Sequence, residues 1–164
     1  MSYEMKRIMV PVAVGTLKGY ELARKATDAA FAISKKSDDA RVILLFKSTK
    51  IDDIDPNEAT GKLFNNARDT LKKHMADAVE RLEELEKYGD SLGVEYDIEV
   101  VADDESTADT ICAAALRLDV DAIVMCSHGR TGFKRFMIGS VAEEVVRKAE
   151  VPVMVLKGKQ IEDA

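Results

Sequence analysis

The chain is short of the features that force a special reading. It has two cysteines, Cys112 and Cys126, among 164 residues. Two are too few for a disulfide framework, and neither has a second Cys or His at zinc-ligand spacing, so both are expected as reduced thiols. The longest unbroken apolar run, Ile8 to Val14, is seven residues with a proline inside. A helix that spans a bilayer needs roughly 20, so no membrane partner is expected. The opening stretch MSYEMKRIMV has no apolar core behind a basic start and no small-residue cleavage site. A secretory leader is therefore not expected, and the cytoplasm is the expected compartment. Neither G-x-x-x-x-G-K-[ST] nor G-x-G-x-x-G occurs anywhere, which argues against magnesium-assisted phosphoryl transfer of the Walker type.

What is present is the composition of one compact globular domain, residues 1–164, with 46% hydrophobic and 33% charged residues. A net charge of −6 would repel a polyanion as a whole, so nucleic acid is not an expected partner. One segment departs from that average. From Cys126 to Ala142 the chain carries Arg130, Lys134, Arg135 and His128 and no Asp or Glu. Such a segment is either a local anion site or a solvated basic loop, and charge alone leaves both open.

Apolar runs alternate with helical patterns, the signature of α/β architecture in which a parallel sheet is wound with helices. Strands are expected at Arg7 to Val12, Arg41 to Phe46, Val94 to Val101, Asp121 to Cys126 and Val151 to Leu156. Pro11 cannot donate to a ladder and is expected at the carboxyl end of the first strand. A first helix over about 17–36 shows an apolar stripe of Leu22, Ala26, Ala29, Ala30 and Ile33. A second holds helical period from Phe64 through Ala67, Leu71, Met75, Ala78, Val79 and Leu82 to Leu85, stopping near Gly89 and Gly93, with His74 on its polar face. Ser106 with Asp109 opens a third helix, running to about Leu118. A fourth covers Ser140 to Ala149. The stretch from Ser48 to Thr60 reads as a loop, and the tail beyond Gly158 as frayed. Right-handed crossovers then give a single five-stranded parallel sheet of order 3-2-1-4-5, with helices on both faces.

An open parallel sheet takes ligands beyond the carboxyl ends of its strands, where successive connections leave in opposite directions. Here that point falls between strands one and four. After strand one come Ala13, Val14, Gly15 and Thr16; after strand four come Ser127, His128, Gly129 and Arg130. After Gly129 come nine residues and then Gly139-Ser140, at the start of a helix. Glycines let backbone amides approach an anion, and a helix amino terminus offers unpaired N–H groups, so phosphate could be held between the two. Ser140 with Glu143 also reads as a capping box, which would satisfy those same donors internally.

Residues 127–157, SHGRTGFKRFMIGSVAEEVVRKAEVPVMVLK, resemble the carboxyl-terminal signature of the universal stress protein family. Nucleotide-binding members of that family carry G-x-x-G, nine residues, then G-[ST]. The five-strand layout extends the likeness over nearly the whole chain. The resemblance implies an adenine nucleotide, ATP or AMP with or without Mg, whose phosphates lie on Gly129, Gly139 and Ser140. Val141 and Ala142 would add backbone contacts, and Met125 would pack on the nucleoside. Including the strand ends, the implied binding set is Pro11, Val12, Ala13, Lys47, Met125, Cys126, Ser127, His128, Gly129, Arg130, Gly139, Ser140, Val141 and Ala142.

Three positions depart from the family pattern. Cys126 stands where the motif's first glycine is expected. Ala13 stands where relatives usually have Asp, removing a carboxylate that would accept from ribose hydroxyls or help hold a metal ion. Phe46-Lys47 replaces a common His-Val pair. Losing one charge-assisted hydrogen bond costs about 1.5–3 kcal/mol, roughly ten- to a hundredfold in affinity, which weakens binding without abolishing it. Catalysis has few candidates, namely Thr16, Cys126, Ser127 and His128, and no acid in either loop to hold a divalent ion. The expected function is a regulatory nucleotide-binding module in stress response. A nucleotide-free dimeric scaffold and a slow ATP hydrolase are the alternatives. The strand Val151 to Leu156 is an apolar edge, and pairing with a second copy across a two-fold axis would cover it, so a homodimer is expected.

Overall fold

The computed structural model describes residues 4–13, 15, 17–48, 62–127 and 138–157. Strands and helices alternate as β1 Arg7–Pro11, α1 Leu17–Ser34, β2 Arg41–Ser48, α2 Lys62–Leu92, β3 Glu95–Ala102, α3 Thr107–Arg117, β4 Ala122–Ser127, α4 Ser140–Lys148 and β5 Val153–Lys157. All five strands form one parallel sheet in the expected order, β3-β2-β1-β4-β5.

Side chains alternate across the pleat and feed two cores. Ile8, Val10, Val42, Leu44 and Val124 face α1 and α2, where Ala26, Ala30, Phe31, Leu82 and Leu85 meet them. Met9, Ile43, Leu45, Ile123 and Met125 face the other way and pack with Ala108, Ile111, Ala114, Ala115, Ala142 and Val145 of α3 and α4. The central strands β1 and β4 are buried on both faces, which is why they read as continuous apolar runs.

Several boundaries differ from expectation for local reasons. β1 ends at Pro11 and not Val12, since proline has no N–H for the ladder. β5 begins at Val153, after Pro152, whose carbonyl still accepts from Ile123 N at 2.9 Å. The buried side of α1 is also rotated from the expected stripe: it consists of Gly19, Ala23, Ala26, Thr27, Ala30, Phe31 and Ser34. Leu22, Ala29 and Ile33 lie at its half-buried margins. Small residues let α1 sit close on the sheet, and buried Ser34 satisfies its hydroxyl on the Phe31 carbonyl at 2.8 Å.

In α2, Ala78, Leu82 and Leu85 are buried while Val79 is exposed. The other expected apolar positions of this helix, Phe64, Ala67, Leu71 and Met75, and the polar-face His74, have side chains outside the described residues, as do most of the expected loop and the tail. The helix does not stop at Gly89. It continues to Leu92, and Gly93 at φ +65° ends it. Gly89 serves a packing need: a Cβ there would lie 2.7 Å from two ring carbons of Tyr96 and 3.2 Å from Phe31. At the amino edge of the sheet, Asp121 Oδ2 accepts from the backbone N–H groups of Lys6 and Arg7, each at 2.8 Å, pinning the start of β1 beside β4.

Candidate functional site

The sheet opens at its carboxyl edge. β1 and β2 stay paired up to Pro11↔Leu45, and Val12 N donates to the Leu45 carbonyl at 2.9 Å. β4 and β5 stay paired up to Ser127↔Lys157. Between these two pairs, β1 and β4 match only at Ile8↔Ala122 and Met9↔Ile123. The two central strands therefore part over their carboxyl halves, where Pro11 has no N–H to offer. α1 and α2 leave on one face and α3 and α4 on the other, so this gap is the switch point.

Alternation sorts the expected residues by face. Pro11, Lys47, Met125 and Ser127 share the pleat positions that face α3 and α4, while Ala13 lies two residues past the end of β1. Met125 and Ser127 are buried and Ala13 is exposed. Val12 and Cys126 turn the other way and join the α1/α2 core. His128, Gly129 and Arg130, together with Thr16, Lys134 and Arg135, lie outside the described residues.

The start of α4 is the most informative described element. Its N-cap is Gly139, with φ −59° and ψ 154°, and no side chain bonds the cap. The Ser140–Glu143 capping box therefore does not form. Ser140 is already the first helical residue, and the Glu143 carboxylate accepts instead from Arg147 at 3.1 Å. Among the described residues, no side chain caps the opening turn of α4. The conformation of Gly139 is open to any residue, so the backbone does not demand glycine there. What glycine contributes is the missing Cβ beside those amides. Topology sets this turn at the carboxyl edge, because α4 follows β4 and runs back toward the start of β5. Ala142 anchors it in the same buried cluster as Met125.

Lys47 is occupied. Its ammonium lies 3.1 Å from Asp103 Oδ1 and donates to the carbonyl of Glu105, in the turn that joins β3 to α3. Thr110 Oγ1 donates to the same carboxylate at 2.7 Å. The Thr110 hydrogen bond, followed by the bond and charge of Lys47, holds the Asp103 carboxyl below its ordinary range. Next to it the expected α3 cap forms: Ser106 Oγ accepts from Asp109 N at 3.1 Å. Lys148 of α4 reaches Asp109 at 2.8 Å, and that bond is the main reason the Asp109 carboxyl is also lowered. Asp103 and Thr110 were not anticipated from sequence. Their link to Lys47 is made only by the adjacency of β2 and β3.

Cys126 is half-buried, and burial pushes its thiol up, only partly opposed by the charge of Lys25. It packs against the α1/α2 core, in surroundings that favour the thiol over the thiolate. Cys112 is raised in the same direction, by burial first and then by Asp109. Among the described residues no group of three or more His, Cys, Asp or Glu could hold a metal ion.

A doubly wound parallel sheet, open at its switch point and faced there by an uncapped helix start, defines the open α/β class that takes up ligands at the carboxyl edge. Residues 4–157 match the model of the universal stress protein family, and the chain belongs to that family. It is 29% identical over 157 residues to the universal stress protein MJ0531 of Methanocaldococcus jannaschii, across 93% of this chain and 82% of that protein. The solved structure of MJ0577, from the same organism, aligns with a TM-score of 0.71 at 26% identity, covering 95% of this chain and 98% of that one. A universal stress protein family member from Arabidopsis thaliana, solved with AMP bound, shares the fold with a TM-score of 0.62 at 22% identity, over 94% of this chain and 93% of that one.

Proposed function

We propose that this protein is a cytoplasmic regulatory module that binds an adenine nucleotide, ATP or AMP, in the gap between β1 and β4. The observation that carries the reading is the start of α4: a glycine cap with no side-chain partner, at the open edge of the sheet. Unpaired amides and the positive end of a helix favour a phosphate there. Ser140 adds a hydroxyl donor, and Val141 and Ala142 add backbone N–H groups. Gly129 and Arg130 would close the cradle from the other side. Met125 and Ser127 line the floor, and Ala13 offers no carboxylate to the ribose or to Mg, so magnesium would be held by phosphate oxygens and water. Family membership and the AMP-bound Arabidopsis relative support the choice of nucleotide.

Isothermal titration tests this directly. ATP or AMP should give saturable heat with a Kd below about 1 mM, an affinity of at least about 4 kcal/mol. Gly139→Asp should weaken binding at least tenfold by placing a carboxylate where phosphate would sit. The same change should leave the fold intact, since Asp is a favoured helix cap. Absence of heat at about 1 mM nucleotide removes the proposal.

The edge strand supplies a second, compatible reading. Val153, Val155 and Leu156 are only half-buried, and Met154 is 41% exposed. β5 has a neighbour, β4, on one side alone. A second copy of β5 across a two-fold axis would cover both edges, and sedimentation at rising concentration should show a dimer.

A further inference from the structure

Phosphates at the start of α4 place one end of a nucleotide beside β4. The rest of the molecule must then extend across β1 toward β2, two strand spacings or about 10 Å away. Lys47 stands at that far end. β1 and β2 pair up to Pro11↔Leu45, and Lys47 follows two residues after Leu45 on the same face of β2, beyond the end of β1.

The ammonium of Lys47 is drawn away from β1, over to Asp103 and the Glu105 carbonyl on β3's side. Thr110 holds Asp103 from α3. The turn between β3 and α3 is thereby fastened from two elements at once. A long cationic side chain that secures its head elsewhere leaves its methylene stem as an apolar flank. We propose that Lys47, Asp103 and Thr110 form a strap that fixes the base-side wall of the nucleotide site, with Lys47 as the positioning residue that determines which base the site accepts. This rests on the nucleotide reading above and assigns to that site a specificity element on a turn that carries none of its expected residues. A wall held in place can reject a base that does not fit, whereas a loose one repacks around it.

The test compares ATP with CTP, which share phosphates and differ only in the base, by titration against wild type, Lys47→Met, Asp103→Asn and Lys47→Arg. The wild-type chain should prefer ATP by at least about tenfold. Lys47→Met keeps the stem and loses the tether, so the preference should collapse toward one, chiefly through tighter CTP binding as the loosened wall repacks around the smaller base. Asp103→Asn should behave likewise, and Lys47→Arg should restore most of the preference. Equal losses for both nucleotides would mean a merely structural or phosphate-side effect and would overturn the strap. So would a wild-type chain that binds both alike, or a Lys47→Met variant that discriminates as well as wild type. A wild-type chain that binds neither removes the nucleotide reading and the strap together.

Discussion

The two faces of the sheet are built on different principles. The face under α1 and α2 is closed by close fit. Phe31 sits against Tyr88 and Tyr96 with ring centroids 6.0 and 6.4 Å apart, Arg24 lies 5.2 Å over the Tyr88 ring, and Gly89 survives because the Tyr96 ring leaves no room for a Cβ. The face under α3 and α4 has aliphatic residues and no aromatic ring in its described core, and it is held at its carboxyl edge by polar ties, Lys47 to Asp103 and Lys148 to Asp109. Dispersion contacts on the first face have no alternative partners. Ion pairs and an uncapped helix start on the second can exchange partners with a ligand. The molecule thus keeps its rigidity on one side and its capacity to respond on the other.

Substitutions on the two faces should separate these roles by the size of their effect. Phe31→Ala should be the most costly, at about 3–5 kcal/mol, because a fully buried ring leaves a cavity among neighbours locked in place. A urea midpoint reports it, and a loss below about 1 kcal/mol would mean that α1 slides in to fill the space. Ser106→Ala should cost about 1 kcal/mol by removing the side-chain acceptor for Asp109 N. Ser140→Ala, at a position with the same sequence signature, should cost under about 0.5 kcal/mol, since no cap bond exists to lose. Equal costs for the two serines would show that Ser140 does cap α4 and that its opening amides are already occupied.

That pair also shows what the sequence discloses and what it withholds. Ser106-Asp109 and Ser140-Glu143 share one local pattern, yet only the first forms a cap, because Gly139 takes the cap position of α4 and Arg147 draws Glu143 away. Strand order, the burial of β4 and the place of Pro11 were legible because they follow from runs, periods and crossover handedness. The buried side of α1 was misjudged, since Leu22 and Ile33 outweigh Gly19 and Ala23 in hydrophobicity while close approach to the sheet selects small residues. Among the candidate residues, the spacing from Gly129 to Gly139-Ser140 was visible in the sequence. The tether from Lys47 to Asp103 could not, because nothing in either segment names the other until β2 and β3 lie side by side.

The amino edge of the sheet carries a further consequence. Among the described residues, Asp39 at φ 64°, Gly93 at φ 65° and Asp119 at φ 50° are those with positive φ, and they fall just before β2, β3 and β4 respectively. Three returns into the sheet thus use the same stereochemical corner, two of them with aspartate, which tolerates that conformation better than most side chains. These corners shape how β2, β3 and β4 enter the sheet, on the rim opposite the candidate site. Substitutions on the carboxyl rim outside the Lys47, Asp103 and Ser106 ties therefore leave these three entries into the sheet untouched.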